Sequence, residues 1–337
     1  MEKPLMKNLF SPFFSHIYVE EEARNYPETL SILNHFKGAV IIPIKHYKDV
    51  FCRGHQNFAM EKQSPSLILA VKKDNLIYDG SHMCDDFGNE NFYYTSSMMN
   101  CIYNCEYCYL QGMYPSAHVV VFVNLEDIFS KVEEKLEKGT VYLCISYDTD
   151  ILAMEHILGY GRRWMEFAKK HKNLKIELRT KSSAFDNIQD INPPSNIILA
   201  WTLSPQEVVS EFEHGTPSLD ARLNSIEKAL NKGYNIRLCF DPLLLIHDYK
   251  RIYGEFVKEV FTRIHGANVQ DVSLGVFRVS KEYLKIMRKN NPYSVIVNYP
   301  FEVKDGSCSY NEEVRSNLIN YVSGEVKKYI DEGRIFI

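Results

Sequence analysis

The chain has 337 residues, 45 % of them hydrophobic and 24 % charged, with a formal net charge of −4 and a pI near 6.3. These are the proportions of a soluble globular protein, long enough for one large α/β domain with an appendage or for two ordinary domains. They argue against a protein that coats nucleic acid by bulk electrostatics, and no apolar stretch approaches the length of a membrane span.

Residues 1–90 read as a small N-terminal α/β extension. A strand at HIYVE precedes an amphipathic helix around NYPETLSILNHF, and strands follow near AVIIPI and SLILAV. The Gly-, Asp- and Asn-rich stretch DGSHMCDDFGNENF reads as a loop and a boundary. Over residues 91–337 strand and helix alternate. Strands are expected at NFYYTSS, HVVVFV, VYLCISY, LKIELRT, NIILAWTL, NIRLCF and DVSLGVF. Helical patterns fall at LEDIFSKVEEKLEKG, ILGYGRRWMEFAKKH, SLDARLNSIEKALNKG and YKRIYGEFVKEVFTRI. β-Branched runs between helices predict a parallel sheet buried on both faces. The count suits a partial, TIM-like (β/α)6 barrel with a C-terminal helical segment, in which chemistry belongs at the C-terminal ends of the strands.

Gly159-Tyr160-Gly161 lacks the third glycine and the preceding strand of a dinucleotide fingerprint, and no phosphate-loop pattern occurs. In RVSKEYLKIMRKNN, a helix would set Lys281, Lys285 and Lys289 on one face, beside Arg278 and Arg288. That face is either solvated or a strip that tracks phosphates. The opening run MEKPLMKNLFSPFF lacks the apolar core and cleavage site of a secretory signal. A cytoplasmic protein with no membrane partner is expected, its eight cysteines being reduced thiols or metal ligands.

The most specific feature is the run CIYNCEYCYLQGMY, which spaces Cys101, Cys105 and Cys108 as C-x3-C-x2-C. A structural zinc site needs four ligands, so Cys84 or Cys144 would have to complete it; three unliganded thiols are another reading. Three thiolates can instead hold three irons of a [4Fe–4S] cube. The fourth iron is then open to a small chelating ligand, as in the radical S-adenosylmethionine (SAM) enzymes.

With the cysteine loop after the first barrel strand, SAM is expected across the tops of later strands. Tyr107 and Tyr109 flank the third cysteine and either offer ring faces and hydroxyls there or brace the loop. In VYLCISYDTD, Val141, Leu143 and Ile145 point to one side and Tyr142, Cys144 and Ser146 to the other. The more polar set is expected to face the interior. Past the strand, Tyr147, Asp148, Thr149 and Asp150 are candidates to face a ligand. Lys181, at the end of the next strand, suits a carboxylate such as SAM's methionyl end. Thr202 and Ser204 close the fifth strand, and Asp241 the sixth.

CEYCYLQGMY after C-x3-C, with Arg179-Thr180-Lys181 and FEHGTPSLDARL, resembles the spore photoproduct lyase family of radical SAM enzymes. The resemblance implies a [4Fe–4S] cluster, SAM, and an electron donor such as flavodoxin or ferredoxin. It implies UV-damaged DNA as partner, with hydrogen abstraction from 5-thyminyl-5,6-dihydrothymine followed by cleavage of the bond joining the thymines. A cysteine then returns hydrogen to the thymine, with tyrosines relaying the radical. By position Cys101, Cys105 and Cys108 hold the cluster, and Tyr107 and Tyr109 match the family's tyrosines. Lys181 matches the lysine near the SAM carboxylate, and Thr202 falls where a serine is usual. The hydrogen-donating cysteine falls at or near Tyr147; the only thiol on that strand is Cys144, roughly 10 Å lower at ~3.3 Å per residue. The C-terminal NYPFEVKDGSCSY lacks an Arg/Lys-rich run, which keeps open a different, non-DNA substrate for the same chemistry.

Overall fold

The structure, a computed structural model, describes residues 14–80 and 84–337. Its fold is mixed α/β, built on two sheets. The smaller runs in the order Val40–Ile44, His16–Glu20, Leu67–Ala70, Val119–Phe122, Met98–Met99, the last strand antiparallel and the others parallel. The larger runs from Tyr78–Asp79 through Phe92–Tyr94, Val141–Cys144, Leu174–Thr180, Ile197–Thr202, Asn235–Leu243 and Asp271–Val276 to Ile335–Phe336. Only Tyr78–Asp79 is antiparallel to its neighbour. From Phe92 onward each strand of this sheet lies beside the sheet's preceding strand in chain order, the order a singly wound sheet requires, and among the described residues its two end strands do not pair.

HVVVFV departs from expectation. It does not take a place in the alternating series but pairs between Leu67–Ala70 and Met98–Met99 in the smaller sheet. Its four strand residues and those of Leu67–Ala70 are all buried, so the two apolar runs cover each other. The chain therefore crosses back over residue 90, and both parts share a sheet.

The expected helices form where their apolar spacing puts them. Leu125–Leu136 buries Leu125, Ile128, Phe129, Val132 and Leu136 on one stripe. Leu219–Lys232 starts where Ser218 accepts from the Ala221 N–H and stops at Gly233, whose φ of 92° is left-handed. Tyr249–Arg263 and Glu312–Val326 cover the far side. The Gly159/Gly161 pair serves a helix start: the Glu155 carboxylate accepts from the Gly161 and Arg162 amides at 2.7 and 2.9 Å. A Cβ at Gly161 would lie 2.8 Å from that carboxylate. Among the described residues, no helix is long and apolar enough to cross a membrane.

Alternation along the large sheet separates two environments. Val141, Leu143 and Ile145 join the apolar core. Tyr142 instead meets Glu177 and Arg237, and Ser146 accepts from the Arg179 amide at 2.6 Å, as the polar set's expected orientation requires. Arg237 binds Asp271 through two nitrogens and Glu177 through a third, all three side chains buried. The ring of Phe87 lies 3.2 Å from its guanidinium carbon.

The cluster helix Leu110–Met113 sits against Lys281–Asn290 with no room between them. A Cβ at Gly112 would lie 2.5 Å from the Tyr283 carbonyl oxygen and 2.6 Å from its Cα. Those are backbone atoms, so Gly112→Ala must push the helices apart, at about 1–3 kcal/mol. A urea-unfolding midpoint unchanged from the parent would contradict this.

Candidate active site

The cysteine loop follows Met98–Met99 and is tied down through its backbone. Asn104–Cys105 forms a two-residue antiparallel ladder with Glu213–His214. The Glu106 amide donates to the Phe212 carbonyl at 2.9 Å, and Gln111 Nε2 to the Cys105 carbonyl at 2.7 Å. Lys62, from the helix Phe58–Gln63, donates to the Cys101 carbonyl. Loop position is thus set by groups from two other parts of the chain and by Gln111 of its own run.

All three cysteines are free thiols. Burial pushes the Cys101 thiol up to about 12 and raises Cys105 and Cys108. Lys62 opposes this at Cys101 and Cys108, and Lys181 at Cys105 and Cys108. Burial thus keeps the metal-free thiols protonated, and the two lysines offset part of the cost of the thiolate form that iron–sulfur ligation needs. Among the described residues no three His, Cys, Asp or Glu side chains converge on one point as a single-ion site requires. A cube differs, because each thiolate binds its own iron. The donor set fits a [4Fe–4S] cluster.

Behind the loop stands a network that centres on Glu213. Tyr107 donates its hydroxyl to Glu213 Oε1, and Lys181 Nζ lies 2.8 Å from Tyr107 Oη and 3.0 Å from Glu213. Ser204 Oγ donates to the same oxygen at 3.0 Å, while Arg222 binds the other. Arg222 also holds the Thr202 carbonyl at 3.1 Å and Thr216 Oγ1 at 2.7 Å. Burial alone would raise the Glu213 carboxyl; Lys181 and Arg222 together hold it well below the usual range. Asp150 fixes the strand end, accepting from the Lys181 amide and from Thr180 Oγ1, each at 2.7 Å.

The other expected residues form a second group. Tyr109, next to Cys108, donates its hydroxyl to the Tyr147 carbonyl. The Tyr147 ring stacks on Tyr94 at 4.4 Å, and Tyr94 on Tyr78 at 4.8 Å. Cys144 is buried lower on the same strand, its thiol raised by burial and then by Glu177. Thr149 is half-buried between Asp148 and Asp150, and Thr202 is buried, with its carbonyl held by Arg222. Tyr107 and Lys181 are thus brought together with the cysteine loop, and Tyr109 with Tyr147.

Glu213, Arg222 and Lys62 escaped the sequence reading as site residues. Glu213 and Arg222 lie inside FEHGTPSLDARL, so that run was a usable signal. Lys62 carries no local one.

With the geometry in place, comparison with known proteins is decisive. The sequence model of spore photoproduct lyase matches residues 10–306. The chain belongs to the spore photoproduct lyase family. A spore photoproduct lyase from a Geobacillus species is 22 % identical over 285 residues, 82 % of each chain. A solved spore photoproduct lyase complexed with dinucleoside spore photoproduct superposes with a TM-score of 0.84 at 19 % identity, covering 97 % of this chain and 99 % of the other. A mutant spore photoproduct lyase with bound AdoMet and dinucleoside spore photoproduct gives 0.83 at 20 % identity, with the same coverage. In this family member, FEHGTPSLDARL is the segment that pins the cluster loop.

Glu213→Gln leaves Arg222 buried without its counter-charge, at about 3–5 kcal/mol. The folded Glu213 pKa lies below its ordinary 4.5, so its contribution is present above that value and lost as pH falls below it. The stability gap between parent and variant in urea unfolding should therefore be wide at neutral pH and narrow below about pH 4. A gap independent of pH would refute the ionic role.

Proposed function

We propose that this protein is a radical SAM lyase that repairs the spore photoproduct, 5-thyminyl-5,6-dihydrothymine, in DNA. One observation carries the reading: a C-x3-C-x2-C loop held by the Glu213 ladder, with Tyr107 and Lys181 beside it, in a chain of this family. Bound together, the cluster and SAM supply a 5′-deoxyadenosyl radical that takes hydrogen from C6 of the lesion, after which the bond joining the two thymines breaks.

This chain's residues provide the setting. Cys101, Cys105 and Cys108 hold the cluster. Lys181 uses two N–H donors on Tyr107 and Glu213, and a lysine has three, which leaves one for the SAM carboxylate. Tyr107 lies beside that place, Thr149 and Thr202 are the further candidates to bind SAM, and Tyr109 and Tyr147 handle the radical. The sequential strand order supports a partial (β/α)6 barrel, with residues 1–90 as an extension that shares its sheet through Val119–Phe122. A cytoplasmic enzyme reduced by a flavodoxin- or ferredoxin-type donor completes the proposal. A second reading, the same chemistry on another substrate, rests on Tyr147 standing where a thiol is usual.

The deciding experiment is anaerobic incubation of the reconstituted protein with SAM, a strong reductant and DNA carrying the lesion. Restored thymines support repair; 5′-deoxyadenosine with the lesion untouched supports the second reading. Cys105→Ala should lose both the cluster's absorbance and SAM cleavage, and retained cleavage would refute the ligand assignment.

DNA engagement has its own test. Lys281, Lys285 and Lys289 are exposed on a capped helix, whereas Arg288 is tied to the Val297 and Tyr299 carbonyls and Arg278 to Asp241. If the three lysines meet phosphates, changing all three to Gln lowers the salt slope of duplex binding by about 2–3. An unchanged slope makes them a solvated face.

A further inference from the structure

We propose that Lys62 sets the reduction potential of the cluster, its ammonium group favouring the electron that SAM cleavage consumes; this rests on the cluster of the reading above. Lys62 reaches the cysteine loop from outside it: its Nζ donates to the Cys101 carbonyl from the helix Phe58–Gln63. All three cysteines lie within its electrostatic reach, Cys101 foremost. Among the described residues it makes no ion pair with a carboxylate, whereas Lys181 shares Glu213 at 3.0 Å. The charge of Lys62 is therefore kept for the loop.

Several contacts fix the lysine in place. Glu61, its neighbour in the chain, accepts from Ser116 Oγ at 2.6 Å and from the Ala117 amide at 2.9 Å. Gln56 Nε2 donates to the other Glu61 oxygen at 3.1 Å. Asn57 caps the helix by accepting from the Met60 amide at 3.1 Å, and Phe58 is buried one turn before Lys62. The helix is thus fastened to the segment that follows the cysteine run. Phe58, Lys62, Asn100, Cys101 and Cys108 line one small cavity of about 10 Å³, room for a water and no more. So small a space leaves little solvent between the ammonium group and the cysteines, and its charge is weakly screened.

Reduction takes one electron from the low-potential carrier, which is itself oxidised by one, and no proton need move. The cluster and its three thiolates gain one negative charge. A cation fixed beside them attracts the reduced form more strongly than the oxidised one, and net charge is among the terms that set iron–sulfur potentials. Burial opposes the charge on Lys62, and the cysteines as thiolates favour it, so the ammonium group and the loaded cluster sustain each other. Lys181 is committed to Tyr107 and Glu213. The two lysines therefore divide the work, Lys181 serving the SAM carboxylate and Lys62 the electron.

The test is a spectroelectrochemical titration of the reconstituted protein, with neither SAM nor DNA present. Lys62→Met removes charge and donor together, Lys62→Gln removes the charge but keeps an N–H donor, and Lys62→Arg keeps both. Met and Gln should each lower the one-electron reduction constant by about tenfold or more, about 59 mV more negative per tenfold, while Arg stays within about twofold of the parent. Lys73→Gln, an exposed lysine paired with Glu22, should leave the potential at the parental value. A parental potential in Lys62→Gln would overturn the assignment and leave the lysine a hydrogen-bonding brace, as would an equal fall in Lys62→Arg and Lys62→Met. Where Lys62→Met takes up no iron, the Gln and Arg variants decide the matter. With SAM added, a stronger reductant should recover 5′-deoxyadenosine formation in Lys62→Gln, and a loss that no reductant recovers would count against a shifted potential. A parent protein with no reducible iron–sulfur absorbance would overturn the cluster reading itself.

Discussion

A single buried carboxylate governs the geometry of the site. Glu213 is fully enclosed, and an unpaired carboxylate there would protonate rather than stay charged. It stays charged because Lys181 and Arg222 face it from opposite oxygens. The same residue is also the backbone partner of Cys105. Charge satisfaction and cluster-loop position are therefore one constraint: any shift of the loop that moves Glu213 breaks contacts to both cations. Tyr107 is held to the same point, so the residue between Cys105 and Cys108 cannot rotate freely. Electrostatic order of this kind is built before any ligand arrives, as preorganised sites require.

The polar face of the large sheet supplies a second constraint. Its lower part is closed by Arg237 with Glu177, Asp271 and Tyr142, and by the Phe87 ring lying on the guanidinium. Each charge there has a partner, so the region is a plug rather than a pocket. A ligand's place is consequently at the strand ends, where Lys181, Tyr147 and Arg179 stand. Cys144 lies between the two regions, within reach of Glu177 of the plug and of Arg179.

What the sequence revealed follows the range of the interactions involved. Helix spans depend on neighbours within a turn or two, and they were legible. The cysteine loop was legible because its ligands lie within eight positions. The sheet to which Val119–Phe122 belongs was not, since a short apolar run carries no record of its partner. Glu213 and Cys105 are 108 residues apart, and Cys84 and Tyr147 are 63 apart. No local period marks either pair. FEHGTPSLDARL could be recognised as a family mark, but its physical reason, a ladder plus two ion pairs, exists only in three dimensions.

The tyrosine stack beside the site bears on how a radical is contained. Tyr78, Tyr94 and Tyr147 lie face to face in sequence, and Tyr109 joins at Tyr147 with ring centres 5.7 Å apart. Burial, and then Asp148, raise the Tyr78 and Tyr94 phenols, Tyr94 to about 12, so each stays protonated at neutral pH. A protonated phenol loses an electron readily only when its proton leaves too, and Asp148 is the carboxylate that bears on both rings. The loop that carries Cys84 also carries Phe87, which rests on Arg237. That loop is therefore fastened to the plug through Phe87.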